Sequence, residues 1–379
     1  MLPHIMAWQS CAVRKSCKQH LQLLQTRTVL DHFLLRTTLP SASFVVLYSL
    51  QENAVPRACE CGTDDRRHTF VVTVAVIFHT ITSTAATFPV IGDMASKARL
   101  PKRTLTVAAA QISSKFGDIH SNAAKHAAVI RQAENLGVDL LVFPELSLTG
   151  YALPLAKTLQ LDIHDAAARR DVLGPVLSAH SNAHVTSIVG LPLADPSGKL
   201  PFLGALAIGR GESGELAIDA YAKIFVHESE APYFQCGTKP VVRALAGGNV
   251  GLAICRDLKF PEHAAALSKL SSTVYACSAL VEPSAYKRDC SFLQSYAVKH
   301  SMAVVLANYA SKSGDLVPIG RSCVWAANGD KVASADATEE CLVTATFHTG
   351  PAGEVLNLET CKVVPLKPHT QSETKSQDP

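Results

Sequence analysis

The segment Val250-Gly-Leu-Ala-Ile-Cys255-Arg-Asp257-Leu-Lys-Phe260-Pro261-Glu262 packs a strand, a thiol and a helix start into thirteen residues. Its first five residues are apolar or small and short enough for a buried strand. They run into a cysteine that two charged residues follow at once. Pro261 suits the first turn of a helix, because the N–H it lacks is one that a helix start leaves unused. A strand that delivers a reactive side chain to a turn and passes into a helix is one unit of a layered α/β fold. Such folds place their chemistry at the strand ends.

The same grammar extends outward in both directions. Residues 105–111 read as a short apolar strand. Ile119, Ala123, Ile130 and Ala133 recur at helical spacing, and Gly137 is placed to end that helix. Residues 139–143 are a strand running into Pro144-Glu145. Further strands are expected at 185–191, and at 204–208 and 216–223 as a pair. Beyond the opening segment, 261–270 and 285–300 read as helices, and 274–278 and 303–308 as strands. Residues 323–326 and 331–335 flank Asn328-Gly329, a strong hairpin signal. No short-period repeat is present.

Three strand ends carry residues that a core would not select: Glu145, Lys223 and Cys255. Brought to one sheet edge, they supply a base, an ammonium able to stabilise an oxyanion, and a nucleophile. Each has a plainer explanation taken singly. A buried cysteine is usually an inert apolar residue, and a terminal Glu or Lys is usually solvated.

Composition bounds the alternatives. Of 379 residues, 47% are hydrophobic and 18% charged, enough for a sizeable core, so wholesale disorder is excluded. The net charge of +3 is too small to call for a nucleic-acid partner. Eleven cysteines, an odd number, occur without a CxxC pair or an Asn-x-Ser/Thr sequon. That pattern favours free thiols in a reducing compartment, hence a cytoplasmic location. No GxSxG, Walker or HExxH motif is found. Gly209-Arg-Gly211-Glu-Ser-Gly214 matches GxGxxG in letters, but a strand follows it instead of a helix, so a hairpin turn is expected.

Residues 1–103 differ in character and show no sustained helix or strand period. Their apolar run, 69–91, is long enough to span a bilayer, for which about 20 residues are needed. It contains His79 and many threonines, so membrane association is not expected. The first 51 residues hold five Lys/Arg and one acid, Asp31, a bias shared with organelle transit peptides and the basis for an alternative, organelle-targeted location. The expected division is an N-terminal extension at 1–103, poorly ordered, targeting or artefactual; a catalytic domain at 104–365; and a polar flexible tail at 366–379. Met94 would be a natural start for the catalytic domain alone.

Three longer words carry a family resemblance. Phe143-Pro-Glu145-Leu-Ser-Leu-Thr-Gly150-Tyr151 resembles the glutamate motif of the nitrilase, or carbon–nitrogen hydrolase, superfamily. Tyr221-Ala-Lys223, followed by Glu230-x-x-x-Phe234-x-x-Gly237, resembles its lysine motif, and the opening segment its cysteine motif. Asn308 and Gly320-x-Ser322 fit the later part, and the resemblance spans about 104–350. Two departures stand out. Arg256-Asp257 follows the cysteine where true nitrilases usually have Trp-Glu, which is closer to the amidase and carbamoylase branches. The helix before the strand at 303–308 reads Tyr296-Ala-Val-Lys299-His300 where relatives often have Arg-Ala-x-Glu-Asn.

The resemblance implies a four-layer αββα sandwich that forms a homodimer or larger homo-oligomer, with no metal and no cofactor. It implies Glu145, Lys223 and Cys255 as the catalytic triad and Glu230 as a second carboxylate that orients Lys223. Arg256, through its backbone N–H, and Tyr151 lie beside the oxyanion and the substrate. The expected activity is hydrolysis of a small-molecule amide or N-carbamoyl group through a Cys255 thioester. Acyl or amide transfer on the same fold is the alternative, and a non-catalytic binding protein a further one. A Cys–His protease is a rival from another class. His263, eight residues after Cys255, reads instead as a surface helix residue, and no protease signature surrounds the cysteine.

Overall fold

A computed structural model describes residues 104–367 apart from 212–213 and 246, together with three strands in the N-terminal extension. The chain divides into two units, 1–96 and 97–379. In the first, β1 (Leu34–Leu39), β2 (Ala42–Glu52) and β3 (Phe70–Ile77) form an antiparallel sheet. These strands arise where the sequence shows no sustained strand period. Their abundance of Val, Thr and Phe favours extended backbone even without strict alternation. The apolar run expected at 69–91 contributes β3, and its remainder lies outside the described residues, as do Cys59, Cys61, Met94 and the tail beyond 367. Among the described residues, no helix is long and apolar enough to cross a membrane.

The second unit is built on two sheets. The seven-stranded sheet has the order β16-β15-β4-β5-β6-β7-β8, with β4 (Thr104–Gln111), β5 (Leu140–Val142), β6 (Thr186–Leu193), β7 (Phe202–Arg210), β8 (Leu216–Ala222), β15 (Cys341–Thr349) and β16 (Val355–Pro365). The six-stranded sheet has the order β14-β13-β12-β11-β10-β9. Its members are β9 (Val242–Leu245), β10 (Gly248–Ile254), β11 (Val274–Ser278), β12 (Ala303–Ala307), β13 (Cys323–Trp325) and β14 (Lys331–Ser334). Each sheet has three adjacent parallel strands, β4-β5-β6 in one and β10-β11-β12 in the other. Crossover helices join them: α1 (Ile119–Asn135) and α2 (Ala166–Ala179) in the first, α3 (Pro261–Lys269) and α4 (Pro283–His300) in the second.

Strand alternation sorts the apolar side chains into layers. Leu105, Val107 and Ala109 of β4 enter a core shared with Val250, Leu252 and Ile254 of β10, so the two sheets pack face to face. The intervening Ala108 and Ala110 pack with Ile119, Ala123 and Ile130 of α1. On the far side, Ala253, Tyr275 and Val304 pack with Ala264 and Leu267 of α3 and Leu293 of α4. Helix, sheet, sheet, helix is the αββα order expected from the resemblance.

Helix α2 and strands β9, β15 and β16 were not anticipated from sequence. Gly174-Pro175 reads as a breaker inside α2, yet the helix runs through it, capped by Asp165 accepting from the N–H groups of Ala167 and Ala168. The expected hairpins at Asn328-Gly329 and at Gly209–Gly214 both form.

Candidate active site

The register of the parallel strands aligns the site. Ile254, Ser278 and Ala307 are neighbours across β10, β11 and β12, so the next residues, Cys255, Ala279 and Asn308, sit together at one edge. In the other sheet, Val142 pairs with Ile188, and the chain continues through Phe143 and Pro144 to Glu145. The two sheets meet at this end through a bridge between Ile112 and Tyr309.

Backbone geometry at these termini is unusual. Cys255 has φ +41° and Leu146 φ +51°, both in the left-handed region that L side chains disfavour. Such residues cost about 1–3 kcal/mol each and concentrate where function fixes the chain. The turn after Glu145 packs on Gly190, where an added Cβ would lie 2.5 Å from the Leu146 nitrogen. Only glycine permits that approach.

Three buried charges meet here. Lys223 Nζ lies 2.6 Å from Glu145 Oε1 and 2.8 Å from each oxygen of Glu230, and the Lys223 and Glu145 side chains are 0% exposed. Tyr151 OH donates to Glu230 Oε1 at 2.5 Å and the His227 N–H to Oε2 at 2.8 Å. Tyr309 OH donates to the Glu145 carbonyl at 2.7 Å, fixing the backbone behind the carboxylate. Glu145 Oε2 is buried with no hydrogen-bond partner.

Burial raises the Glu145 pKa, against the Lys223 ammonium and with the help of Glu230, to about 7. Burial also pushes up Glu230, but Lys223, Tyr151 and the His227 N–H outweigh it and hold that carboxylate below its ordinary value. For Lys223, burial would lower the pKa, and the carboxylates of Glu145 and Glu230 raise it instead, so it stays an ammonium. The Cys255 thiol is raised by burial first and then by Glu145, so it rests protonated.

The thiol donates to Leu280 O at 3.8 Å. Cys255 also acts on the Glu145 carboxyl, as a lesser influence that lowers its pKa.

The structure thus brings together Glu145, Lys223, Glu230, Tyr151 and Cys255. Tyr151 does so by bonding to Glu230. The Arg256 side chain instead lies over the Phe260 ring, 6.0 Å from its centroid. Its N–H belongs to the first turn of a short 3-10 helix, Cys255–Lys259, where backbone donors have no acceptor within the helix.

His263 is not a surface residue. It is 2% exposed, with its ring nitrogens on Tyr221 and Tyr275. Its reading as a surface helix residue could not register that phenols from two sheets bond to it. Tyr309 was missed altogether, since nothing in the sequence around it pairs it with Glu145, 164 residues away. Among the described residues, no three His, Cys, Asp or Glu side chains are grouped to hold a metal ion.

Residues 106–355 match the family model described as carbon-nitrogen hydrolase. The glutamine-dependent NAD(+) synthetase of Aquifex aeolicus is 30% identical over 256 residues, 65% of this chain and 43% of that protein. A nitrilase of Pyrococcus abyssi is 26% identical over 237 residues, 62% of this chain and 86% of its own. The chain therefore spans less than half the length of the synthetase it matches. Among solved structures, a mutant of the amidase from Nesterenkonia sp. AN1, with the acetamide moiety of fluoroacetamide added covalently at its active-site cysteine, has a TM-score of 0.56 at 22% identity. The match covers 64% of this chain and 90% of that one. The glutamine-dependent NAD+ synthetase of Acinetobacter baumannii gives 0.57 at 22% identity, covering 67% and 49%. These two likenesses concern the fold.

Proposed function

The chain belongs to the carbon–nitrogen hydrolase family, and from that premise we propose that it hydrolyses a linear, non-peptide amide or N-carbamoyl group through a thioester on Cys255. The observation that carries this reading is Glu145. One of its oxygens rests on Lys223, the other is buried without a hydrogen-bond partner, and its pKa is pushed up to about 7. A base titrating near the operating pH is the most useful kind.

In this reading Glu145 takes the Sγ proton as the sulfur attacks the carbonyl carbon. Lys223 and the Arg256 N–H stabilise the tetrahedral oxyanion. Glu145 returns the proton to the departing nitrogen, the C–N bond breaks, and a thioester remains. Water, deprotonated by Glu145, attacks the thioester, and the acid and the thiol are regenerated. Glu230 holds Lys223, and Tyr151 holds Glu230.

The NAD(+) synthetase of Aquifex aeolicus, related in sequence, is glutamine-dependent by name, and glutamine carries a primary side-chain amide. That supports ω-amides as the first substrates to try. The test is a screen of simple amides, N-carbamoyl compounds and ω-amido acids for ammonia release, with Cys255→Ala as control. Release by the wild type alone supports the reading. A full panel without release, or equal release by both proteins, rejects it.

A further inference from the structure

Behind the turn that carries Cys255, four side chains form one line of hydrogen bonds. Tyr221 OH donates to Asp257 Oδ2 at 2.6 Å. The same phenol oxygen is 2.9 Å from His263 Nε2, and Tyr275 OH is 3.3 Å from His263 Nδ1. Tyr221 has one proton and spends it on Asp257, so its oxygen must accept from His263. That fixes the imidazole proton on Nε2 and leaves Nδ1 to accept from Tyr275. Donor and acceptor directions agree along the whole line. All four residues are buried, and they come from different places: Tyr221 from β8 in one sheet, Tyr275 from β11 in the other, His263 from α3.

Asp257 gathers more than the phenol. Its Oδ2 accepts from the Ile254 N–H at 2.9 Å and its Oδ1 from the Phe225 N–H at 3.0 Å. Ile254 immediately precedes Cys255. Tyr221 and Phe225 flank Lys223, two residues away on either side. A single buried carboxylate therefore ties the thiol-bearing turn to both sides of the residue that supplies the ammonium. The turn needs such a tie, since Cys255 sits at φ +41°.

We propose that Asp257 is a positioning residue that sets Cys255 against Lys223, and that Tyr221, His263 and Tyr275 orient its carboxylate for that task. The inference rests on Cys255 being the nucleophile of the proposed reaction. One departure of this chain from its family's wording also bears on this turn. Tyr296, which stands where relatives often have Arg, donates its OH to Leu258 O at 2.7 Å and secures the same 3-10 helix.

The test uses the full chain as wild type, Tyr221→Phe and Asp257→Asn. Tyr221→Phe deletes one hydroxyl and keeps the ring. Asp257→Asn keeps the shape, but its amide nitrogen must face an N–H or O–H donor. Each protein is treated with iodoacetamide, and labelling is timed at every cysteine by peptide mass spectrometry. Exposed Cys236 and Cys361 serve as reference sites, and buried Cys277 and Cys341 report loss of packing.

Cys255 labelling should slow about 10-fold in Tyr221→Phe and about 100-fold in Asp257→Asn, the scale set by small misplacements of reacting groups. The reference sites should label at unchanged rates, and Cys277 and Cys341 should stay protected. Should Asp257→Asn not fold, Tyr221→Phe decides. Labelling of Cys255 at the wild-type rate in folded Tyr221→Phe overturns the proposal. So does slowing accompanied by labelling of Cys277, which marks a packing role only. Failure of the underlying reading has a different sign: Cys255→Ala then releases ammonia at the wild-type rate, and the proposal falls with it.

Discussion

Lys223 Nζ stands 2.6 Å from Glu145 Oε1, with both side chains fully buried. In water such an ammonium would hold a carboxyl well below neutrality. Here burial is the larger influence, and Glu230 adds a second negative charge that competes for the same lysine. The outcome is a carboxylate that gains and loses its proton near neutral pH, alongside a lysine that keeps its own.

The first consequence is a pH profile. Glu145 must be ionised to accept the thiol proton, so kcat/KM for an amide found in the screen should climb about tenfold per pH unit below about 7 and level off above it. Initial rates from about pH 5.5 to about pH 8.5, a window that brackets this titration, check it. A profile flat across that range contradicts the assignment of the base.

Glu230 is held by Lys223, by Tyr151 and by the His227 N–H. Tyr151→Phe should lower kcat about tenfold, the worth of one hydrogen bond to a charged group. Glu230→Ala should lower it by more than about 100-fold while Cys255 remains alkylable. Near-normal steady-state kinetics in Glu230→Ala would return this carboxylate to a structural part.

Gly237 donates its N–H to Lys223 O at 2.7 Å, and a Cβ there would meet Ala222 O at 2.1 Å. That oxygen is backbone and cannot turn aside. Gly237→Ala should destabilise the protein by about 1–3 kcal/mol, the usual scale of overpacking, and shift the residue that carries the ammonium. Thermal denaturation and turnover should fall together. An unchanged midpoint would show that the strand end yields freely.

His126 lies under the glutamate turn, stacked on Phe143 and bonded through Nδ1 to Asn122 O and through Nε2 to Ser147 Oγ. Burial lowers its pKa from 6.5 to about 3. The unfolded chain therefore binds this proton more readily than the folded one. Stability is unaffected above pH 6.5 and declines as pH falls from there toward about 3. At about pH 5 the loss is about 2 kcal/mol from this residue. The difference between denaturant titrations at about pH 7 and about pH 5 should be smaller in His126→Gln than in the wild type by about that amount. An equal difference in both would place the acid sensitivity elsewhere.

The αββα order was legible only through the family resemblance, but the strand-end residues were visible for a local reason. Glu145, Lys223 and Cys255 each interrupt an apolar run that strand periodicity alone would continue. Tyr151 and Glu230 were readable only inside the longer family words. Asp257 was visible as a letter of one such word, but its work depends on Tyr221 and Phe225, 36 and 32 residues earlier, which no local pattern connects to it. Strand β16 escaped because most of its residues are exposed at a sheet edge and show no apolar face. Helix α2 escaped because Gly174-Pro175 signals an end that tertiary packing overrides.

The most direct test of the central claim is the covalent intermediate itself. Wild-type protein is mixed with an amide from the screen, quenched in acid within one turnover, and its peptides are weighed. A mass gain equal to the acyl group is expected on the peptide containing Cys255. It should be absent from Cys255→Ala and from Glu145→Gln, whose amide cannot accept the thiol proton. An acyl group on any other residue, or undiminished ammonia release by Cys255→Ala, would contradict the account.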